Sequence, residues 1–162
     1  MGVPAPGTES NNPRLLAQGE GWQLRPMYEH LIGVDPETGR FVPQLATEWS
    51  VEPDGKSYRF RLRRGVQFHG GWGEFTVRDV LFSFQDTSRE DALGSESVLF
   101  RGAVDQIEAV SDYEVVFHLN KPDVDFESAV SQQQGGLRIM SKAHADAAGD
   151  PTLQTPDRKS VV

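Results

Sequence analysis

The sequence predicts a mixed α/β fold of β-hairpins and short helices, and three observations carry that prediction. From Ser57 to Leu62 polar and apolar residues alternate, with Tyr58, Phe60 and Leu62 on one side and Ser57, Arg59 and Arg61 on the other. That is the period of a half-buried strand. The same alternation recurs through Tyr113, Val115, Phe117 and Leu119. Between the two, Thr76 precedes Asp79 by three residues, and Val77, Val80, Leu81 and Phe84 follow at helical spacing. A hydroxyl cap, an acidic N3 residue and an apolar stripe mark the start of an amphipathic helix.

The elements follow in chain order. Residues 1–12 are rich in Gly, Pro, Ser and Asn without a period, which predicts a flexible leader. Trp22, Leu24, Met27, Tyr28 and Leu31 approximate helical spacing. They predict a helix that begins near Gln23 or kinks at Pro26 and ends by Gly33, since proline is tolerated only in a first turn. Asp35 to Gly39 is turn chemistry, and Phe41 to Pro43 is extended. Residues 45–49 read as a short helical turn, after which Trp49 and Val51 open a strand. Glu52-Pro53-Asp54-Gly55 turns that strand back onto the Ser57 strand.

Phe68-His69-Gly70-Gly71-Trp72-Gly73 forms a glycine-rich turn before the Thr76 helix, which ends near Thr87. A polar run covers 88–97. A second hairpin has arms 104–110 and 113–119 around Ser111-Asp112, and Pro122 ends it. Residues 124–133 read as a weakly apolar helix broken by Gly135-Gly136, 137–140 as a short strand, and Ser141 as the cap of an alanine-rich helix ending at Gly149. The last residues, Asp157 to Val162, match what one frame of a common sequencing-library adapter encodes and are set aside as a non-native tail.

Composition narrows the function. The chain has 162 residues, enough to bury one core, and a net charge of −8 from 24 acidic and 16 basic residues. Such a balance argues against a nucleic-acid binder, which needs a basic face. Cysteine is absent, which removes thiol catalysis, disulfides and cysteine-ligated zinc. No apolar run approaches the roughly 20 residues that span a bilayer, and Met1 to Pro6 carry no signal-peptide pattern.

The chemistry-bearing residues form no catalytic motif. His30, His69, His118 and His144 stand at no metal-ligand spacing, and His69 is read as ordering its turn through a backbone hydrogen bond. The glycine loop lacks the Lys-Ser/Thr of a phosphate loop, and no serine has a GxSxG context. Arg59, Arg61, Arg63 and Arg64 read as a solvated or acid-paired sheet face. Trp49 is in phase with the core, while Trp22 and Trp72 are open to a stacking role.

Four ordered blocks carry a resemblance. They are Met27-Tyr28-Glu29-His30-Leu31-Ile32, Val42-Pro43-Gln44-Leu45-Ala46-Thr47-Glu48-Trp49, the stretch from Pro53-Asp54-Gly55 to Phe68-His69, and Phe75-Thr76-Val77-Arg78-Asp79-Val80-Leu81-Phe82-Ser83-Phe84. In this order and spacing the chain resembles the dipeptide/oligopeptide/nickel family of ABC-transporter substrate-binding proteins, family 5. It departs from the family's HDGxPFT, having His69-Gly70-Gly71-Trp72-Gly73-Glu74-Phe75-Thr76, which is longer and lacks the proline.

The resemblance implies the N-terminal part of a type II periplasmic-binding-protein fold. Residues 1–41 would be the first segment of the ligand-binding lobe and 42–156 its accessory α/β domain, with the second lobe beyond Pro156. It implies a non-catalytic, monomeric solute- or peptide-binding protein without cofactor or metal, exported to the periplasm or tethered outside the membrane, serving an ABC permease. Gly7, Thr8 and Glu9 would run along the ligand backbone, and Glu96 and Ser97 would approach the cleft. Two other functions stay open from the residues themselves. One is a hydrolase using converging carboxylates, the other a stand-alone interaction domain that offers a hairpin edge for strand addition.

Overall fold

The computed structural model describes residues 13, 27–134 and 136–148. Its centre is a four-stranded antiparallel sheet of order β3-β4-β6-β5, from β3 (Ala46–Val51), β4 (Ser57–Leu62), β5 (Val104–Ser111) and β6 (Glu114–Leu119). A separate antiparallel pair, β1 (Ile32–Val34) and β2 (Phe41–Pro43), lies before it. The helices are α1 (Val77–Thr87), α2 (Ser95–Ala103), α3 (Phe126–Ala129) and α4 (Lys142–Ala148). The predicted mixed fold, both hairpins and the bounds of β4 and α1 agree with the structure.

One sheet face is the core. Tyr58, Phe60 and Leu62 of β4 and Val115, Phe117 and Leu119 of β6 are all buried. Phe117 sits among Phe60, Phe126 and Phe84, with ring centroids at 5.5, 5.4 and 6.1 Å. Phe100 of α2 joins the cluster through Phe84 at 5.6 Å. Trp49 packs on the edge of this core, as its phase predicts.

The other sheet face is polar and paired with itself. Arg59 is held by Glu52 and Glu114, and Arg61 by Glu48. Arg63 Nε donates to the Gln44 carbonyl at 2.8 Å, and the Arg64 guanidinium lies 4.3 Å from the centroid of the Tyr113 ring. Arg59 and Arg61 are thus the acid-paired face that the alternation suggests, while Arg63 and Arg64, beyond β4, meet a carbonyl and an aromatic ring instead.

Five expectations are corrected. The helix predicted to run through Leu31 gives way, among the described residues, to a segment without regular structure over 28–31 that leads into β1. There the carbonyls of Glu29, His30 and Leu31 accept from Ile139, Leu45 and Ala46. Tyr28, His30, Leu31 and Ile32 are all buried, so no periodicity separates helix from strand. Residues 45–49 are not a helical turn: β3 starts at Ala46, and an irregularity in its register between Ala46 and Glu48 hides the alternation. The polar run 88–97 ends inside α2, whose apolar signal is weak because Phe100 is fully buried while Val98 and Leu99 are exposed. The helix expected over 124–133 shrinks to α3, because Ser131 bridges to Ile32 and Gln132 N–H donates to the Ile32 carbonyl at 2.9 Å. The segment 137–140, expected as a short strand, is buried but forms no strand.

The return of the chain is fixed by α1. Thr76 and Asp79 form the predicted capping box, and Asp79 Oδ2 accepts from the Thr76 backbone N–H at 2.9 Å. Asp79 Oδ1 also accepts from Lys142 N–H at 2.9 Å, and Ser83 Oγ accepts from Met140 N–H at 2.8 Å. Two side chains of one helix therefore hold 140–142. Ser141 Oγ accepts from His144 N–H at 3.2 Å, the expected cap of α4.

Candidate ligand-binding site

Gly7, Thr8 and Glu9 lie outside the described residues, as do residues 149–162 and Trp22. Glu96 and Ser97 lie in the first turn of α2, and they differ in what they can do. Ser97 is 1% exposed, and its hydroxyl donates to the Gly94 carbonyl at 2.7 Å, with the Ala92 carbonyl at 3.3 Å. It shapes the turn that starts α2. Glu96 lines a cavity of about 300 Å³ together with Leu99, Phe100, Ala129, Gln134 and Gly136.

Two glycines at or near this cavity stand in close contact with their neighbours. A Cβ at Gly136 would overlap the carbonyl oxygen of Ala129 and press on Phe100 at 3.4 Å. A Cβ at Gly94 would come within 2.6 Å of Glu96 Oε2. Behind Glu96 stands Arg138, which is 7% exposed, with Nη1 3.9 Å from Glu96 Oε1. The carboxylate is thus set between the turn at Gly94 and a buried guanidinium. Sequence reasoning reached Glu96 but missed Gln134, Gly136 and Arg138. Only Gly135-Gly136 carries a local signal, that of a helix break.

Other polar groupings are structural. Ser57, His118 and Glu108 line up as a nucleophile, base and acid would, with Ser57 Oγ 2.9 Å from His118 Nδ1 and His118 Nε2 3.1 Å from Glu108 Oε2. Yet Ser57 is 1% exposed and donates its proton to Asp54 Oδ2 at 2.5 Å. A hydroxyl that is buried and already donating cannot meet a substrate. Together with the N–H groups of Lys56 and Ser57, each 2.9 Å from Asp54 Oδ1, this bond ties the β3–β4 turn. The Ser57 and Lys56 donors hold the Asp54 carboxyl below its ordinary range.

A second hollow of about 210 Å³ on the outer sheet face is lined by Glu48, Trp49, Ser50, Arg59 and Arg61, whose charges are engaged with one another and with Glu52 and Glu114. The glycine loop is likewise closed on itself. Phe68 N–H donates to the Gly73 carbonyl at 2.9 Å, and Glu74 accepts from Gly65 N–H at 2.7 Å and from the Tyr113 hydroxyl at 2.8 Å. These contacts, rather than the exposed His69, order the turn. Trp72 is occupied as well, its ring 4.6 Å from that of His144.

Among the described residues no three His, Cys, Asp or Glu side chains converge as a metal site, and no helix is long and apolar enough to cross a membrane.

Comparisons with known proteins agree on one family. The family model for bacterial extracellular solute-binding proteins, family 5 Middle, matches residues 40–156. The chain is 32% identical to di/tripeptide-binding protein 2 of Pseudomonas aeruginosa over 69% of its own length and 24% of that protein. It is 30% identical to the dipeptide-binding protein of Escherichia coli over 88% of its own length and 30% of that protein. The crystal structure of a dipeptide-binding protein from Pseudoalteromonas in complex with Met-Leu superposes with a TM-score of 0.72 at 30% identity, covering 86% of this chain and 30% of that one. The chain therefore spans under a third of these relatives, and its fold is part of the type II periplasmic-binding-protein fold. With most of its length matched by the family model, the chain belongs to the bacterial extracellular solute-binding proteins of family 5.

Proposed function

We propose that this chain is part of an extracytoplasmic solute-binding protein that delivers a peptide or similar small solute to an ABC importer. The observation that carries the reading is the family match over 40–156, and the hollow beside Glu96 supports it by offering a mixed polar and apolar concavity of the kind that holds small ligands. In this reading 1–41 is the first segment of the ligand-binding lobe, 42–156 its accessory domain, and 157–162 a non-native tail. A second lobe closes over the ligand by hinge motion.

Gly7, Thr8 and Glu9 run along the ligand, Glu96 contacts it, and Ser97 positions the α2 turn beneath it. The protein is a periplasmic or membrane-tethered monomer that performs no catalysis. The −8 charge favours no nucleic-acid partner.

The test is a calorimetric titration of the full-length protein carrying this chain with a panel of di- and tripeptides. Saturable binding of a subset, with a rise in melting temperature from ligand linkage, is expected. No binding of any peptide at millimolar concentration would overturn the reading.

A further inference from the structure

We propose that His118 is a pH-operated link on the outer sheet face. It ties the edge strand β5 to the β3–β4 turn when its ring carries two protons, and it releases Glu108 of β5 when it carries one.

The link follows from counting protons along one run of side chains. Asp54 Oδ1 accepts from the N–H groups of Lys56 and Ser57, each at 2.9 Å, so this end of the run is an ionised acceptor. Ser57 Oγ lies 2.5 Å from Asp54 Oδ2, a separation that needs a proton between the two oxygens. The hydroxyl has only that proton to give. It must therefore accept from His118 Nδ1–H, 2.9 Å away. At the far side of the ring Nε2 is 3.1 Å from Glu108 Oε2, and a carboxylate oxygen there requires a second N–H. Both bonds are made together only by the imidazolium.

Loss of one ring proton leaves a single N–H for two acceptors, and the surroundings decide which bond goes. Ser57 is 1% exposed and locked into the turn through Asp54. The Glu108 side chain is 52% exposed and can turn to water. The neutral ring therefore keeps Ser57, presents its Nε2 lone pair to Glu108, and lets that carboxylate go.

The charged groups around the ring are otherwise engaged. Arg59 and Arg61, on the same face of β4, are held by Glu52, Glu114 of β6 and Glu48 of β3. Gln106, opposite His118 on β5, does not titrate. The link also acts where the sheet is weakest. Among the described residues β5 has a neighbour on one side only, and its register to β6 is irregular at Val104/Gln106 and again at Ala109/Ser111.

The experiment is amide hydrogen exchange of the full-length protein, corrected for intrinsic rates, at pH values on either side of the ordinary histidine value of about 6.5. From the lower to the higher pH, amides of β5 (Val104–Ser111) should lose protection by up to about fivefold, the scale of a partly exposed ion pair. Those of Lys56 and Ser57 should not change. Glu108→Gln should abolish the β5 effect, because its amide can pair with the ring in either protonation state. Unchanged β5 protection in the wild type, or a change that persists in Glu108→Gln, overturns the proposal. So does a loss shared equally by α1, which would report global stability rather than this link.

Discussion

Phe117→Ala is expected to destabilise the protein by about 3–5 kcal/mol, the range for emptying an aromatic side chain from a packed core. Phe117 is fully buried and touches rings from three other elements, Phe60 of β4, Phe84 of α1 and Phe126 of α3. Its removal leaves a void between sheet and helices that none of these aromatic neighbours can fill without leaving its own packing. Urea unfolding monitored by circular dichroism reads the loss directly. An effect below about 1 kcal/mol would mean that the sheet and helices do not share one core. Phe117→Leu, which keeps much of the volume, should lose less.

Asp79→Ala is the second large effect, at about 2 kcal/mol, because it orphans one buried and one partly buried backbone donor. The N–H groups of Thr76 and Lys142 each donate to Asp79 at 2.9 Å, and the residue is 6% exposed. Losing these bonds loosens both the start of α1 and the return of the chain at 140–142. Asp79→Asn retains one acceptor oxygen and should lose less.

The pH dependence separates these contributions. Burial raises the Asp79 carboxyl above its ordinary value, against the opposing bonds from Lys142 and Thr76. A raised carboxyl means that the folded state binds more protons than the unfolded state between the two pKa values. The stability it contributes is therefore full below the unfolded value, about pH 4, and falls as pH rises through the folded one. Asp79→Asn lacks this term, so its deficit relative to wild type should shrink as pH rises through that window. A deficit independent of pH would show that Asp79 does not titrate there. Glu29, also raised by burial, contributes in the same direction, and its share cancels in the comparison.

What the sequence disclosed follows from how many faces each segment buries. β4 and β6 each turn one face to the Phe117 cluster, so their alternation reads directly, and the Thr76-Asp79 box announces α1. Tyr28 to Ile32 has no such contrast, because β2, β3 and the 131–139 return enclose it from several sides. α2 escaped notice for the opposite reason: Phe100 alone of its large apolar residues enters the core, and Val98 is 65% exposed. The site was legible only in part for a related cause. Glu96 and Arg138 are brought together by the fold across 42 residues of sequence, and the close approach of Gly136 to Ala129 is a tertiary fact. No local pattern encodes either.

Backbone amide hydrogen exchange of the full-length protein, free and saturated with a bound peptide, tests the central claim most directly. If the ligand is met at the α2 face, amides of 94–100 and 131–138 exchange more slowly in the complex, while the outer sheet face around 48–61 is unchanged. Protection confined to that sheet face, with none at 94–100 or 131–138, would contradict the account.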